Sequence, residues 1–374
     1  MRSARAIRED LARCILHLRS GRADSRRSLA RLMRLSPSTA GSYVEQLLAA
    51  EFIRETRTTA AGRGRPRRLL RLVGTAGWFA GVEFHAKRIQ VVAFDFAGQT
   101  LRSELAQLPD AVTTRQILNT IVRIVGRFQK DWTQPLLGLG VGAPGVVDPE
   151  AGVARSYAFV ADWREVPVVD RLQRQLGVPV TLENNLRATA TAERWFGAGR
   201  QLADFVVVGA RSGFGVAIVL GGTLWTGSQL AAGEVGHWPA GTGDSGQLHD
   251  SLSAPAVWRR LSGATHRQRP PTDLKKQLTR LADPGSPLFQ DVVSDYAHFL
   301  TRVHLLLDAA AYLLHGPLTA LGPAFCQAVV SEAVRLAPQF SHRPPCFEPT
   351  LLDDDAGAVG AGCHAMEAWQ PQLP

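Results

Sequence analysis

The stretch "SPSTAGSYVEQLLAAEFIRETRTTAAGRGRPRRLLRL", residues 36–72, decides the fold of the first part of the chain. Its first half predicts a helix, because Ser36 suits an N-cap, Pro37 suits a first helical turn, and apolar residues follow at helical spacing. Its second half predicts a strand, a glycine-containing turn and a second strand. A helix that leads into such a hairpin is typical of the end of a winged helix-turn-helix domain.

Two shorter helices are predicted upstream. Apolar residues recur at helical spacing in the first, at Ile7, Leu11, Cys14, Ile15 and Leu18. Gly21 ends that helix, and Ser25 is a suitable N-cap for the second. Three helices and a two-stranded wing complete the winged-helix order. We therefore expect a winged helix-turn-helix domain over residues 1–72 and a second domain over residues 73–374.

In that geometry the third helix enters the major groove of DNA. The residues of this helix that we expect to contact DNA are Ser36, Ser38, Thr39, Ser42 and Tyr43. The wing tip, "GRGRPRR" at residues 62–68, is slim and basic, and it suits a narrow minor groove. The wing residues that we expect to contact DNA are Arg63, Arg65 and Arg67. The alternative is a small helical bundle with a basic hairpin that does not bind DNA.

The charge of the chain is concentrated at its N-terminus. Residues 1–72 contain 17 Arg, no Lys and 6 acidic residues, a net charge of +11. The other 302 residues contain 25 basic and 27 acidic side chains, a net charge of −2. A basic block of this kind suits double-stranded DNA, because neutralising phosphates releases counterions.

Composition excludes several other classes of protein. With 45% hydrophobic and 20% charged residues the chain is globular rather than disordered. No apolar run reaches the length of a membrane span and no signal-type apolar core is present, so we expect a cytoplasmic protein that does not bind membranes. The four cysteines form no CxxC pair, which disfavours a disulfide framework and a finger-type zinc site.

The pattern after residue 73 predicts an α/β protein with two lobes. Apolar runs of strand length cover residues 79–84 and 89–96, and a helix is predicted near 113–130. Alternating strands and helices continue to residue 254, after which helices dominate. Within that helical part, "GPLTALGPAF" (residues 316–325) predicts one more strand and turn.

Six stretches of this part, in order, resemble the ROK family of repressors and sugar kinases. They are "GVEFHAKRIQVVAFD", "GLGVGAPGVVD", "LENNLRATATAERWFG", "ARSGFGVAIVLGGTLWTG", "AAGEVGHW" and "LGPAF". They cover most of residues 78–325. The resemblance implies a two-lobed actin-like ATPase fold. It also implies a homodimer or a dimer of dimers, since the family's regulator branch carries an N-terminal winged helix and helix-turn-helix proteins bind paired half-sites.

Three departures from the family's kinases argue against catalysis and against a bound cofactor. The first phosphate loop of the family, Asp-Ile-Gly-Gly-Thr, reads "EFHAK" at residues 83–87, without the glycines that let phosphates approach. The second, Gly-Thr-Gly-x-Gly, reads "RSGFG" at 211–215. Asn185 stands where the kinases have a catalytic aspartate, and a neutral amide cannot act as that base.

The family's sugar-contacting residues map onto Asn184, Glu234 and His237, so the resemblance implies a sugar or sugar-derivative effector. The alternative for the last two is a structural carboxylate-histidine pair. Phe159 stands where the family has another sugar-contacting asparagine. The family's zinc site joins the histidine to three nearby cysteines, and "GTGDSGQLHDSLSAP" (241–255) has none, so we expect no metal.

The sequence thus favours a DNA-binding transcriptional regulator without kinase activity. The rival is a sugar kinase with a DNA-binding appendage. A third alternative is a regulator whose ligand site has decayed.

Overall fold

The computed structural model describes residues 3–57, 68–85, 87–157, 159–239 and 246–372. The chain forms two compact units. The first comprises Met1–Asn185 with Ala361–Pro374, and the second comprises Leu186–Gly360.

The first unit begins with three helices and a two-stranded antiparallel sheet. Their bounds are α1 Ala4–Arg19, α2 Arg26–Leu32, α3 Pro37–Ala49, β1 Ile53–Arg57 and β2 Arg68–Leu72. Ser25 and Ser36 cap α2 and α3, as the sequence predicts. The helices pack around side chains that are at most 1% exposed, namely Leu11, Ile15, Leu29, Val44 and Leu47. This is the winged-helix order expected from the sequence.

A five-stranded mixed sheet follows in the first unit, with strand order β10-β6-β3-β4-β5. The bounds are β3 Trp78–His85, β4 Arg88–Asp95, β5 Thr100–Gln107, β6 Leu136–Ala143 and β10 Val180–Asn184. Helices α4 (Thr114–Asp131) and α5 (Val168–Leu176) share an apolar core with it. A small antiparallel sheet contains β7 Val146–Asp148, β8 Val153–Ser156 and β9 Arg164–Val166.

The last helix, α12 (Ala356–Ala368), packs against the sheet through glycines. A Cβ on Gly140 would lie 1.7 Å from the Ala361 carbonyl oxygen, and one on Gly362 would lie 2.6 Å from the Phe94 ring. Larger residues at these positions would therefore push the helix off the sheet.

The winged helix is joined to this sheet by a buried arginine and an aromatic cluster. The Arg19 guanidinium donates two hydrogen bonds to the Phe96 carbonyl, at 3.2 and 2.8 Å, and lies over the Phe79 and Phe96 rings. Burial lowers the pKa of Arg19 to about 10, so it stays protonated at neutral pH. Phe52 packs on Phe96 and Trp369, with ring centroids 5.2 and 5.1 Å apart. These contacts hold the winged helix on the rest of its unit.

The second unit contains another five-stranded sheet, with strand order β13-β12-β11-β14-β15. Its strands are β11 Phe205–Ala210, β12 Phe214–Leu220, β13 Thr223–Trp225, β14 Ala311–His315 and β15 Phe347–Pro349. The helices are α6 Asn185–Phe196, α7 Leu248–Leu252, α8 Ala254–Ser262, α9 Leu274–Leu281, α10 Pro287–Leu307 and α11 Gly322–Leu336. Helix α6 starts at the last residue of the first unit.

The strand predicted in "GPLTALGPAF" is wrong. Pro317–Leu321 forms a 3-10 helix, and α11 begins at Gly322. The strand lies just upstream, at Ala311–His315. Each of the two helical segments has a proline in its first turn. The fixed φ of proline suits a first helical turn, and its missing N–H does not suit a central strand.

Within the described ranges, none of the helices is both long enough and apolar enough to span a membrane.

Candidate functional site

The N-terminus of α3 carries a cluster of hydroxyl groups. The Ser36 hydroxyl lies 2.9 Å from that of Ser38 and 2.8 Å from that of Thr39. Ser36, Ser38 and Ser42 are exposed and Thr39 is half-buried. Since residues three or four apart share a helix face, Ser42 extends this surface along α3. Hydroxyls and backbone N–H groups at a helix N-terminus are suited to phosphate oxygens and base edges.

Tyr43 lies inside the domain instead. It is 4% exposed, and its hydroxyl donates to the carboxylate of Asp10, on α1, at 3.0 Å. Asp10 is itself only 8% exposed. Tyr43 precedes the buried Leu47 by one helical turn, so both side chains point inward. The expectation that Tyr43 contacts DNA is therefore corrected: it packs α3 against α1.

We predict that two neighbouring substitutions affect different properties, one the stability of the domain and the other its base preference. Tyr43→Phe removes a hydrogen bond to a buried carboxylate and should lower the free energy of unfolding by about 1–3 kcal/mol, without changing which DNA sequences are preferred. Ser42→Ala removes an exposed hydroxyl and should change base preference with little loss of stability. Chemical denaturation and binding to a panel of single-base operator variants measure the two effects. A changed base preference in Tyr43→Phe would contradict the assignment.

A network of ion pairs holds the two strands and two helices of the winged helix together. Arg26 lies 2.7 Å from Glu45 and 2.8 Å from Glu55, and Arg68 lies 3.0 Å from Glu55. Hydrogen bonding from Arg26 lowers the pKa of Glu55 below its usual range. The pairing therefore stabilises the fold above the ordinary glutamate pKa and is lost as pH falls. Other arginine side chains of this domain are exposed, including Arg27, Arg31, Arg34, Arg54 and Arg71.

The predicted wing contacts Arg63, Arg65 and Arg67 lie outside the described residues. Strands β1 and β2, which lead into and out of that segment, pair in register from Ile53 with Leu72 to Arg57 with Arg68. The hairpin expected on both sides of the wing tip is therefore present.

At residues 83–87, which align with the first phosphate loop of the family's kinases, the chain has residues with side chains in place of the glycines. His85 ends β3 and is paired with Arg88 at the start of β4. The Arg88 Nε donates to the His85 Nε2 at 2.8 Å. A phosphate loop needs bare backbone that lets oxygens approach the N–H groups, and an imidazole-guanidinium pair at a strand end does not supply that surface.

The second phosphate-loop segment is a tight turn between β11 and β12. Ala210 is paired with Phe214, and the Arg211 N–H donates to the Gly213 carbonyl at 2.9 Å. A Cβ on Gly213 would lie 3.4 Å from the His249 ring. The imidazole of α7 therefore covers this glycine.

Asn184 and Asn185 lie in the first unit, at the junction of β10 and α6. The Asn184 side chain donates to the Gly145 carbonyl at 3.0 Å, and its backbone N–H donates to the Glu183 carboxylate at 2.7 Å. Asn184 is thereby held in one orientation. Asn185, which the family resemblance aligns with the catalytic aspartate of the kinases, is the first residue of α6.

Glu234 and His237 lie in the second unit, on a short segment pressed against β12. A Cβ on Gly233 would lie 2.0 Å from the Val216 carbonyl oxygen, and one on Gly236 would lie 2.2 Å from that of Phe214. The two glycines thus flank Glu234 and fix its backbone. Both Glu234 and His237 are exposed. A carboxylate and an imidazole on one segment suit the hydroxyl groups of a polyol.

His237 is oriented by an amide. Its Nδ1 lies 3.1 Å from the Gln247 Oε1, and the backbones on both sides are joined by a bridge between Pro239 and Gln247. An Nδ1–H donor to this oxygen leaves Nε2 as an acceptor for a ligand hydroxyl. Across the described residues no group of three His, Cys, Asp or Glu side chains is placed to hold a metal ion. The family's zinc site joins its histidine to three cysteines, and the sequence between His237 and Ala254 contains none.

Phe159 is 59% exposed and packs on Tyr157, with ring centroids 5.4 Å apart. An exposed, supported ring of this kind can stack on the face of a sugar.

A model of the ROK family matches residues 79–367. The chain belongs to the ROK family. Its ROK relatives include the xylose repressor of Caldicellulosiruptor bescii, 26% identical over 216 residues, which are 57% of this chain and 54% of that repressor. The DNA-binding transcriptional repressor Mlc of Escherichia coli K12 is 28% identical over 218 residues, 57% of this chain and 53% of Mlc. The chain thus spans about half the length of these two repressors.

A ROK kinase is also similar. The glucokinase of Halalkalibacterium halodurans is 23% identical over 313 residues, 76% of this chain and 94% of the kinase. Kinship to ROK proteins therefore includes both regulators and enzymes.

Solved ROK structures share the fold. A ROK family transcriptional regulator, a homolog of E. coli Mlc, has a TM-score of 0.81 at 18% identity and covers 97% of both chains. A ROK family glucokinase from Streptomyces griseus, solved with glucose and AMPPNP, has a TM-score of 0.65 at 23% identity over 78% of this chain and all of its own. The likeness to the regulator thus extends over almost the whole chain, including the winged helix.

The contacts of three side chains in or near the ROK motifs were not predicted from the sequence: Arg88, Gln247 and His249. Arg88 follows "EFHAK" directly, so a hairpin prediction with paired ends would have found its contact with His85. Gln247 and His249 lie beyond a glycine-rich stretch, and nothing in their spacing points to His237 or Gly213.

Proposed function

We propose that this ROK chain is a DNA-binding transcriptional repressor that responds to a sugar or sugar derivative and does not phosphorylate it. The observation that carries the proposal is the hydroxyl surface of α3, exposed at Ser36, Ser38 and Ser42 and half-buried at Thr39, in a domain with a net charge of +11 over residues 1–72. Hydroxyls that read bases and arginines that bind phosphates together suit specific binding of duplex DNA.

In the proposed complex α3 lies in the major groove and the wing lies in the adjacent minor groove. Two winged helices of a homodimer, or of a dimer of dimers, bind the two half-sites of an operator. The dimer is an inference from the family and from the symmetry of such operators.

Glu234 and His237 are proposed to bind effector hydroxyls. That Asn184 contacts a saccharide stays a prediction from the family resemblance. The names of the relatives support a saccharide, since they include a xylose repressor and N-acetylglucosamine repressors. A carboxylate accepts hydrogen bonds from two adjacent hydroxyls, and the oriented His237 ring accepts another.

The absence of kinase activity is proposed from three positions. Asn185 supplies no carboxylate, the His85–Arg88 pair occupies the end of β3, and the His249 ring covers Gly213. Phosphoryl transfer needs the nucleotide phosphates, the metal and the base to be positioned together.

Selection of duplexes from a random pool tests the proposal. We expect the full-length protein to enrich a sequence with two related half-sites and to bind it roughly a thousandfold or more tightly than a scrambled duplex at physiological salt. Equal affinity for the selected and scrambled duplexes would contradict the proposal.

A further inference from the structure

The segment that leads to Glu234 has an unusual backbone. Three of its residues have left-handed φ angles, Gly227 at 74°, Leu230 at 60° and Gly233 at 93°. Glycine adopts this conformation readily, whereas a branched side chain such as that of Leu230 is rare there. The surrounding structure must therefore hold Leu230 in place.

A buried arginine of α6 contacts this part of the segment. Arg187 is 4% exposed, and its Nη2 donates to the Leu230 carbonyl and, at 3.4 Å, to the Ala232 carbonyl. The planar guanidinium reaches both acceptors from one rigid group. The backbone at Leu230 and Ala232 is thus bonded to α6.

The backbone at Gly233 and Glu234 is held by β12 and by a bond within the segment itself. The Val216 N–H donates to the Gly233 carbonyl at 2.9 Å, and the Glu234 N–H donates to the Ala231 carbonyl at 3.3 Å. The Glu234 backbone therefore depends on two anchors, the bond between β12 and Gly233 and the bond from its own N–H to the Ala231 carbonyl. If Leu230 left its left-handed conformation, the neighbouring Ala231 carbonyl would move and the anchor at the Glu234 N–H would be lost.

We infer that Arg187 is a positioning residue, which sets the affinity for the effector by holding Leu230 and Ala232 so that Glu234 points toward the ligand. Arg187 does not itself touch the ligand in this arrangement. The inference rests on the proposed sensing function for its effect on sugar response, but the conformational part stands on the contacts alone.

Hydrogen-deuterium exchange of the ligand-free, full-length protein tests the conformational part. We expect Arg187→Met to speed the exchange of the Leu230–Glu234 amides at least tenfold, and Arg187→Lys to have a smaller effect, since a lysine ammonium keeps N–H donors for these carbonyls whereas methionine has none. Arg194→Met is the matched control: Arg194 also lies on α6 and donates to a loop carbonyl, that of Gly222, at 2.8 Å. It should leave the Leu230–Glu234 amides unchanged.

A second-site change separates positioning from general stability. Because glycine adopts the left-handed region without strain, Leu230→Gly added to Arg187→Met should recover much of the lost protection. A role of Arg187 in stability alone would not be rescued by this change. Unchanged exchange in both Arg187→Met and Arg187→Lys would overturn the inference; if Arg187→Met does not fold, the same comparison with Arg187→Lys decides it.

The sugar readout uses operator affinity in the presence of D-xylose, D-glucose or N-acetyl-D-glucosamine. A sugar that shifts the wild-type affinity should need at least a tenfold higher concentration in Arg187→Met, and wild-type-like concentrations in Arg194→Met. An unchanged half-effective concentration in Arg187→Met would overturn the effect on affinity. If none of the three shifts the wild-type protein, the sensing function fails for these sugars, while the exchange experiment still decides the role of Arg187.

Discussion

Replacing Arg63 and Arg65 together by alanine is expected to weaken operator binding by roughly tenfold near physiological salt, and to reduce the slope of log affinity against log salt concentration by about 2. Both residues belong to the predicted wing tip, in the block of residues 1–72 that carries the excess positive charge of the chain. Each arginine that neutralises backbone charge releases about one counterion, so the loss should be largest at low salt.

The same variant should lose discrimination in the flanks of the operator. A narrow minor groove at A·T-rich sequence has an enhanced negative potential, which attracts an inserted arginine. We therefore expect the affinity to fall more for operators with A·T-rich flanks than for operators with G·C-rich flanks. Binding isotherms for both operators at four salt concentrations measure this difference.

Arg267 and Arg269 provide a matched control. They have the same one-residue spacing, they are exposed, and they lie in the second unit. Their double alanine variant has the same net charge as the wing variant but should keep the wild-type affinity and salt slope. If the two double variants behave alike, the wing residues act only through net charge, and the minor-groove assignment is wrong.

Local patterns predicted the helices and strands of the winged helix and several helices and strands around the family motifs. Ser25 and Ser36 cap α2 and α3, as predicted. An N-cap can be predicted from sequence because it depends on one side chain and the next three residues. The helix predicted near 113–130 is observed at Thr114–Asp131, where a strong amphipathic period continues for five turns.

Partners distant in sequence were harder to predict. Tyr43 looked like a polar residue of a recognition helix, although its spacing to Leu47 also fitted the inward face. Asp10, 33 residues away, decides between these alternatives, because its buried carboxylate accepts the hydroxyl. The His237–Gln247 contact likewise spans ten residues. Periodicity describes which face a residue occupies, and it carries no information about such pairs.

The second large effect concerns sugar sensing without turnover. We expect a sugar that binds the protein to change operator affinity by about 5- to 150-fold, the usual range of coupling between two sites. Glu234→Ala should abolish this response at the same sugar concentrations, since a charged acceptor contributes about 1.5–3 kcal/mol to a hydrogen bond, or roughly 10- to 150-fold in affinity. Operator affinity without sugar should stay at the wild-type value. Asp291→Ala, which removes an exposed carboxylate of the same unit, is the control and should respond normally.

ADP formation, measured in the same samples with ATP and magnesium, separates a regulator from a kinase. We expect none with any hexose or amino sugar, and none in Asn185→Asp, because a restored carboxylate still lacks the glycine loop that His85 and its neighbours replace. Sugar-dependent ADP formation that is lost in Asn185→Ala would identify the chain as a kinase. A sugar that shifts operator affinity must bind one conformation of the protein more tightly than another, and its effect cannot exceed that difference in affinity. If Glu234→Ala loses the sugar-dependent change in operator affinity and no variant forms ADP, the sugar acts as a regulatory effector and not as a kinase substrate.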